Sequence, residues 1–155
     1  MKTVAQHDRE KILSIMDRIG FFDGFSTLEK VDLVEFHTHF FVFEAGEYLI
    51  QEGDTDTRFF ILLAGAVDVT VGHPEKRIER LEPGEIIGEM GFLAHTPRTT
   101  NVKAAELAIA IRVDQNMMER LPVALREKIK DQIIHKLVRR LDRMNRRFAA
   151  ESPRA

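Results

Sequence analysis

The chain of 155 residues has no cysteine and no tryptophan, and only one tyrosine and five prolines. Without thiols there is no disulfide framework, no thiolate metal site, no iron–sulfur cluster and no cysteine nucleophile. No apolar run reaches the ~18–20 residues of a membrane span, and residues 1–11 are polar, without the apolar core of a secretory leader. The expectation is a cytoplasmic chain with no membrane partner. An excess of one charge is also missing: 23 Lys and Arg face 25 Asp and Glu, for a formal net charge of −2. That balance attracts neither nucleic acid nor an anionic surface. What is present is 44% apolar and 31% charged, the profile of one soluble domain over 1–155. A chain of this length buries roughly 68–70% of its unfolded surface and needs no metal to fold.

Glycine is confined to the first 91 residues. Gly46, Gly65 and Gly84 are 19 apart, and so are Gly53, Gly72 and Gly91, which places turn signals at alternating intervals of 7 and 12. Apolar segments rich in Phe, Ile, Val and Leu fit between them, at 38–43, 48–50, 58–63, 66–71, 77–81 and 107–113. Short strands at such spacing predict an α+β fold: an eight-stranded antiparallel β jelly-roll barrel over 37–113, between N-terminal helices in 1–36 and a long C-terminal helix within 114–150. Asp8 is placed to cap a helix over 9–19, and Ser26 with Glu29 has the capping-box spacing. Pro122 marks a break, after which 123–152 contain neither Gly nor Pro. There Leu125, Ile129, Ile133, Leu137, Leu141, Met144 and Phe148 recur every three or four residues, the period of one helical face. Arg139, Arg140, Arg143, Arg146 and Arg147 crowd its far end.

The segment 86–102 departs most from structural logic. It mixes a strand, a short helical turn and a polar loop. Gly88 permits close backbone approach, and a turn starting near Glu89 aims unpaired N–H groups at one point, as phosphate sites do. Arg98 adds a permanent charge with a planar donor fork, and Thr99 a hydroxyl. An ionised Glu89 only accepts hydrogen bonds, so beside an anion cradle it suits hydroxyl donors. The implied ligand is a phosphate with an adjacent free hydroxyl. The plainer alternative is an Arg98 paired on the surface with a carboxylate such as Glu89.

Gly88-Glu89-Met90-Gly91-Phe92, followed by Pro97-Arg98-Thr99-Thr100-Asn101-Val102, closely resembles the phosphate-binding cassette of cyclic nucleotide-binding domains. The stretches 45–54, 59–65 and 83–85 are similar to that family's preceding turns and strand, so the likeness runs over about 10–147. It implies reversible sensing of a cyclic purine mononucleotide, cAMP or cGMP, as ligand rather than cofactor, and no enzymatic activity. By the same resemblance Glu89 accepts a bond from the ribose 2′-hydroxyl, Gly88 and the Met90 backbone line the sugar, Arg98 pairs with the cyclic phosphate, and Thr99 and Thr100 lie beside it. Val69 and Leu81 match positions near the purine, and Arg140, Met144 and Asn145 fall where the last helix crosses the ligand. No helix-turn-helix follows that helix in this sequence. The expected output is therefore the long helix itself, a homodimer through it, or a separate downstream protein, with no nucleic acid partner.

His37, His39 and Glu44 form a rival constellation. Alternate strand residues share a face, so the two histidines could hold a divalent metal inside a barrel, as in cupin enzymes. Such a centre needs a third ligand from another strand, and His73 and His95 sit in turn contexts. A further alternative is an interaction module that keeps the motif without binding nucleotide. No nucleophile elbow or Walker-type loop occurs.

Overall fold

A computed structural model describes residues 1–36 and 39–151. Its strands are β1 (Lys2–Thr3), β2 (Phe40–Phe43), β3 (Tyr48–Ile50), β4 (Phe59–Ala64), β5 (Val67–Val71), β6 (Lys76–Leu81), β7 (Ile86–Ile87), β8 (Asn101–Ala104) and β9 (Ala108–Val113). Its α-helices are α1 (Arg9–Met16), α2 (Thr27–Val34), α3 (Glu89–Ala94), α4 (Gln115–Arg120) and α5 (Val123–Glu151).

The expected single eight-stranded barrel is instead two antiparallel sheets, of five strands in the order β1-β2-β9-β4-β7 and of four in the order β3-β8-β5-β6. From β2 onward successive strands alternate between the sheets, except for the β5–β6 hairpin. This is jelly-roll connectivity without closure among the described residues. Two strands were illegible for a physical reason. β1 spans two residues, too few for any periodicity, yet Lys2 and Thr3 pair with Val42 and Phe41. β8 follows directly on a polar loop, and its apolar content is only Val102 and Ala104.

The five-stranded sheet is covered on both faces where β4 runs between β9 and β7, so β4 is a continuous apolar run. Phe59, Ile61 and Leu63 face the helices, packing with Met16, Phe22, Leu33, Met117, Leu125, Ile129 and Ile133. Phe60 and Leu62 face the other sheet, with Phe43, Ile50, Val67, Val69 and Leu81. The period-two alternation of strand side chains thus feeds two cores from one strand. Each buried Phe or Leu in them stabilises by roughly 1.5–3 kcal/mol.

The helix ends follow local chemistry with one exception. Ser26 Oγ accepts from the Glu29 N–H at 3.1 Å and Glu29 reaches back to the Ser26 N–H at 2.9 Å, completing the capping box. Asp8 stands at the N-cap of α1 as expected, but its side chain accepts no capping bond; it closes a 3-10 turn over Gln6–Asp8 and pairs with Lys11 at 3.4 Å. The helix then ends at Met16, short of the expected residue 19, because a second 3-10 turn, Gly20–Phe22, buries Phe21 and Phe22. At the other end α5 runs unbroken to Glu151, but only its first half is anchored. Leu125, Ile129 and Ile133 are buried, and Leu137 packs against the core. Among the described residues no helix is long and apolar enough to cross a membrane.

Candidate functional site

β7, α3 and the loop 95–100 form one edge of an open cleft, and the outer half of α5 forms the opposite edge. Gly88 makes the junction possible. It stands just before α3 with φ 82° and ψ 20°, a left-handed conformation that a side chain disfavours. A Cβ there would also meet Ile50 Cδ1 at 2.6 Å and Arg98 Nη1 at 2.8 Å. From this start the first-turn N–H groups of α3 point outward without intrahelical partners.

Arg98 is held from several sides. Its backbone N–H donates to the Asp54 carbonyl and its carbonyl accepts from the Gly53 N–H, both at 2.8 Å. Its Nη1 donates to the Gly88 carbonyl at 2.6 Å and its Nη2 to the Arg58 carbonyl. The side chain is therefore folded onto the start of α3, and the residue is 7% exposed. Burial draws its pKa below the usual arginine value, against the opposing pull of Asp56, Glu89 and Asp54; the guanidinium stays charged. No carboxylate pairs with it among the described residues, so the surface ion pair with Glu89 is not formed. Its Nε is buried and has no hydrogen-bond partner among the described residues, as is also true of the Nε atoms of Arg9, Arg112 and Arg126. A buried donor without an acceptor costs about 1–3 kcal/mol.

Asp56 organises the strand that receives Arg98. Its Oδ1 accepts from the Arg58 backbone N–H at 2.9 Å and from Arg58 Nε at 2.8 Å. Burial raises its pKa, and the bonds from Arg58 outweigh that and leave the carboxyl below its ordinary range. Asn101 does similar work on the other side, its Oδ1 accepting from the Glu52 N–H at 2.8 Å.

Glu89 is buried in the first turn of α3 and turned toward α5. Lys136 Nζ lies 3.0 Å from its Oε2, and Arg140 Nη1 lies 3.6 Å from its Oε1. Lys136 also donates to the Ile86 carbonyl.

Most of the residues singled out from the sequence line this one cleft: Gly88, Glu89, Met90, Arg98, Thr99 and Thr100 on the cassette side, Val69 and Leu81 in its apolar wall, and Arg140 and Met144 from α5. Asn145 is exposed and does not line it. At about 100° per residue, it lies on the flank of α5 turned away from Glu89. Lys136, Arg139, Arg143 and Arg147 do line it and were not anticipated. The signal available was their spacing, which puts them on the same flank of α5 as Arg140.

The described residues give the rival histidine site no support. His37 lies outside the described residues. His39 Nδ1 is 3.0 Å from the Arg112 carbonyl, to which it donates, and Glu44 is exposed. Among the described residues no three potential ligands cluster to hold a metal ion.

A family model for the cyclic nucleotide-binding domain matches residues 40–122. The human cGMP-dependent protein kinase 2 is 36% identical over 75 residues, covering 46% of this chain and 10% of that protein. The CRP-like cAMP-activated global transcriptional regulator of Mycobacterium tuberculosis is 28% identical over 110 residues, covering 69% of this chain and 49% of that protein. The chain thus spans at most about half the length of these curated relatives. A crystal structure of a cyclic nucleotide-binding domain from Methylobacillus flagellatus superposes with a TM-score of 0.73 at 22% identity, over 99% of this chain and 89% of that one.

Proposed function

Because the chain belongs to the cyclic nucleotide-binding domain family, we propose that its cleft takes up a cyclic purine mononucleotide, cAMP or cGMP, and that α5 passes the binding event on. The observation that carries this is Arg98: a nearly buried guanidinium in a cleft, braced on two carbonyls and paired with no carboxylate among the described residues. Such a group beside a helix start suits a singly charged phosphodiester. In this reading Arg98 and the hydroxyls of Thr99 and Thr100 meet the cyclic phosphate. Glu89 accepts the ribose 2′-hydroxyl, Gly88 and Met90 line the sugar, and Val69 and Leu81 offer an apolar wall to the purine. Arg140 and Met144 close over it from α5.

In this reading binding proceeds without turnover. Residues 1–155 act as one cytoplasmic sensor unit with its cassette at 86–102. The signal is a population shift: ligand contacts made only when α5 is closed favour that state. Contacts worth about 3 kcal/mol change the closed-to-open ratio about 150-fold. Around and beyond Leu137, α5 presents Ile134, Val138 and Leu141, each more than half exposed, along one flank. A second copy of the chain, or a downstream protein, covers that row.

Isothermal titration of the full chain with cAMP and with cGMP tests the reading. Saturable uptake of one of them, recovered unchanged afterwards, is expected; no heat with either removes it.

A further inference from the structure

Lys136 joins α5 to the cassette at two points. Its Nζ donates to Glu89 Oε2 at 3.0 Å and to the Ile86 carbonyl in β7. The pair is well shielded, the lysine side chain being 19% exposed and the carboxylate side chain 4%. Along the helix, Lys136 stands between Ile133, which is buried, and Leu137, the last apolar residue of α5 packed on the core. Leu141 and Met144, one and two turns on, are exposed. The ammonium therefore grips Glu89 where the anchored half of α5 gives way to the exposed half.

The grip leaves acceptor capacity free. An ionised carboxylate offers about four acceptor sites on its two oxygens. Lys136 occupies Oε2; Arg140 is 3.6 Å from Oε1, outside hydrogen-bonding range, and Oε1 accepts no hydrogen bond among the described residues. A hydroxyl donor in the cleft thus adds to Lys136 rather than displacing it. Without Lys136, the shielded carboxylate loses its nearest counter-charge and is free to turn toward Arg140.

We propose that Lys136 is the positioning residue for sugar recognition: by fixing the Glu89 carboxylate it leaves Oε1 for the ribose 2′-hydroxyl, so that discrimination between ribose and deoxyribose cyclic nucleotides depends on the placement of α5. This rests on the cleft being a cyclic nucleotide site.

The test is titration of the full chain with cAMP and 2′-deoxy-cAMP, or with cGMP and its 2′-deoxy form, whichever pair binds more tightly. The unsubstituted protein should prefer the ribose form about tenfold or more, the scale of one hydrogen bond to a charged group. Lys136→Met should narrow that ratio about fivefold, Lys136→Arg should restore most of it, and in a Glu89→Gln background Lys136→Met should change it no further. A merely structural role would weaken both ligands alike and leave the ratio alone. Should Lys136→Met fail to fold by circular dichroism, Lys136→Gln, which keeps a donor for the Ile86 carbonyl, carries the same expected narrowing. A ratio that is unchanged or wider in the variant, or no ribose preference in the unsubstituted protein, overturns the proposal. Absence of binding by either member of both pairs instead removes the nucleotide reading beneath it.

Discussion

Arg98 lies so close to Gly91 that a Cβ on the glycine would stand 2.3 Å from Nη1 and 2.8 Å from Cζ. Gly91 is inside α3 and is not among the glycines with positive φ. Its lack of a side chain therefore serves space rather than backbone conformation. Gly91→Ala should leave the fold intact, because the obstructing atoms end a flexible side chain and Ala is favoured over Gly in a helix by roughly 0.5–1 kcal/mol. The guanidinium must move, so cyclic nucleotide affinity should fall by about 2–4 kcal/mol. Thermal melting and calorimetric titration of the same sample check both halves; a stable variant with full affinity would show that Arg98 need not sit where it does.

Arg98→Ala should weaken binding by about 2–4 kcal/mol, through loss of a charge-assisted contact in a shielded cleft. Arg98→Lys should recover only part of this, since an ammonium lacks the planar fork. An unchanged dissociation constant in the alanine variant takes Arg98 out of the site.

Gly65→Ala should behave in the opposite way to Gly91→Ala. Here φ is +80°, and a Cβ would lie 2.2 Å from the Leu107 carbonyl oxygen and 2.9 Å from the Ala108 Cα, which are backbone atoms that cannot step aside. Steric conflict and left-handed strain together should cost at least about 2 kcal/mol. Urea unfolding would measure it, and a midpoint equal to that of the unsubstituted protein would contradict the geometry.

Glu75 ties three strands together on the outer face of the four-stranded sheet. Lys103 lies 2.8 Å from its carboxylate, the Tyr48 hydroxyl donates to it, and so does Thr70 at 3.1 Å. The bond from Lys103 first, then that from Tyr48, lowers its pKa from 4.5 to about 2. Because the folded-state value is the lower one, the contribution is fully present above pH 4.5 and disappears as pH falls through about 2. The melting temperatures of the unsubstituted protein and Glu75→Gln should differ at neutral pH and converge near pH 2. An equal gap at both ends would mean that the carboxylate's charge is not what matters.

Leu141→Glu places a charge in the exposed apolar row of α5 without touching the core. If a second copy covers that row, sedimentation equilibrium should show association for the unsubstituted chain and a monomer for the variant. A chain that is monomeric at high concentration, with and without nucleotide, would leave the row to a different partner.

Local demands were legible in the amino-acid order. Gly46, Gly53, Gly65, Gly72 and Gly84 all adopt positive φ, because a left-handed turn residue is a requirement of its own few neighbours. The capping box at Ser26 and Glu29, and the run from 123 without Gly or Pro, were readable for the same reason. Gly91 shares the interval of 19 but serves a helix packed against an arginine, and no local pattern separates the two uses. The cassette's residue types suggested the proposed anion site; how they are held did not show. The clamp of Arg98 by Gly53 and Asp54, and the bond between Lys136 and Glu89 across 47 positions, exist only because strands crossing between two sheets bring a turn, a short helix and a distant helix to one cleft. Side-chain chemistry is carried by the residue, whereas which cation meets which carboxylate depends on the packing of elements far apart in the chain.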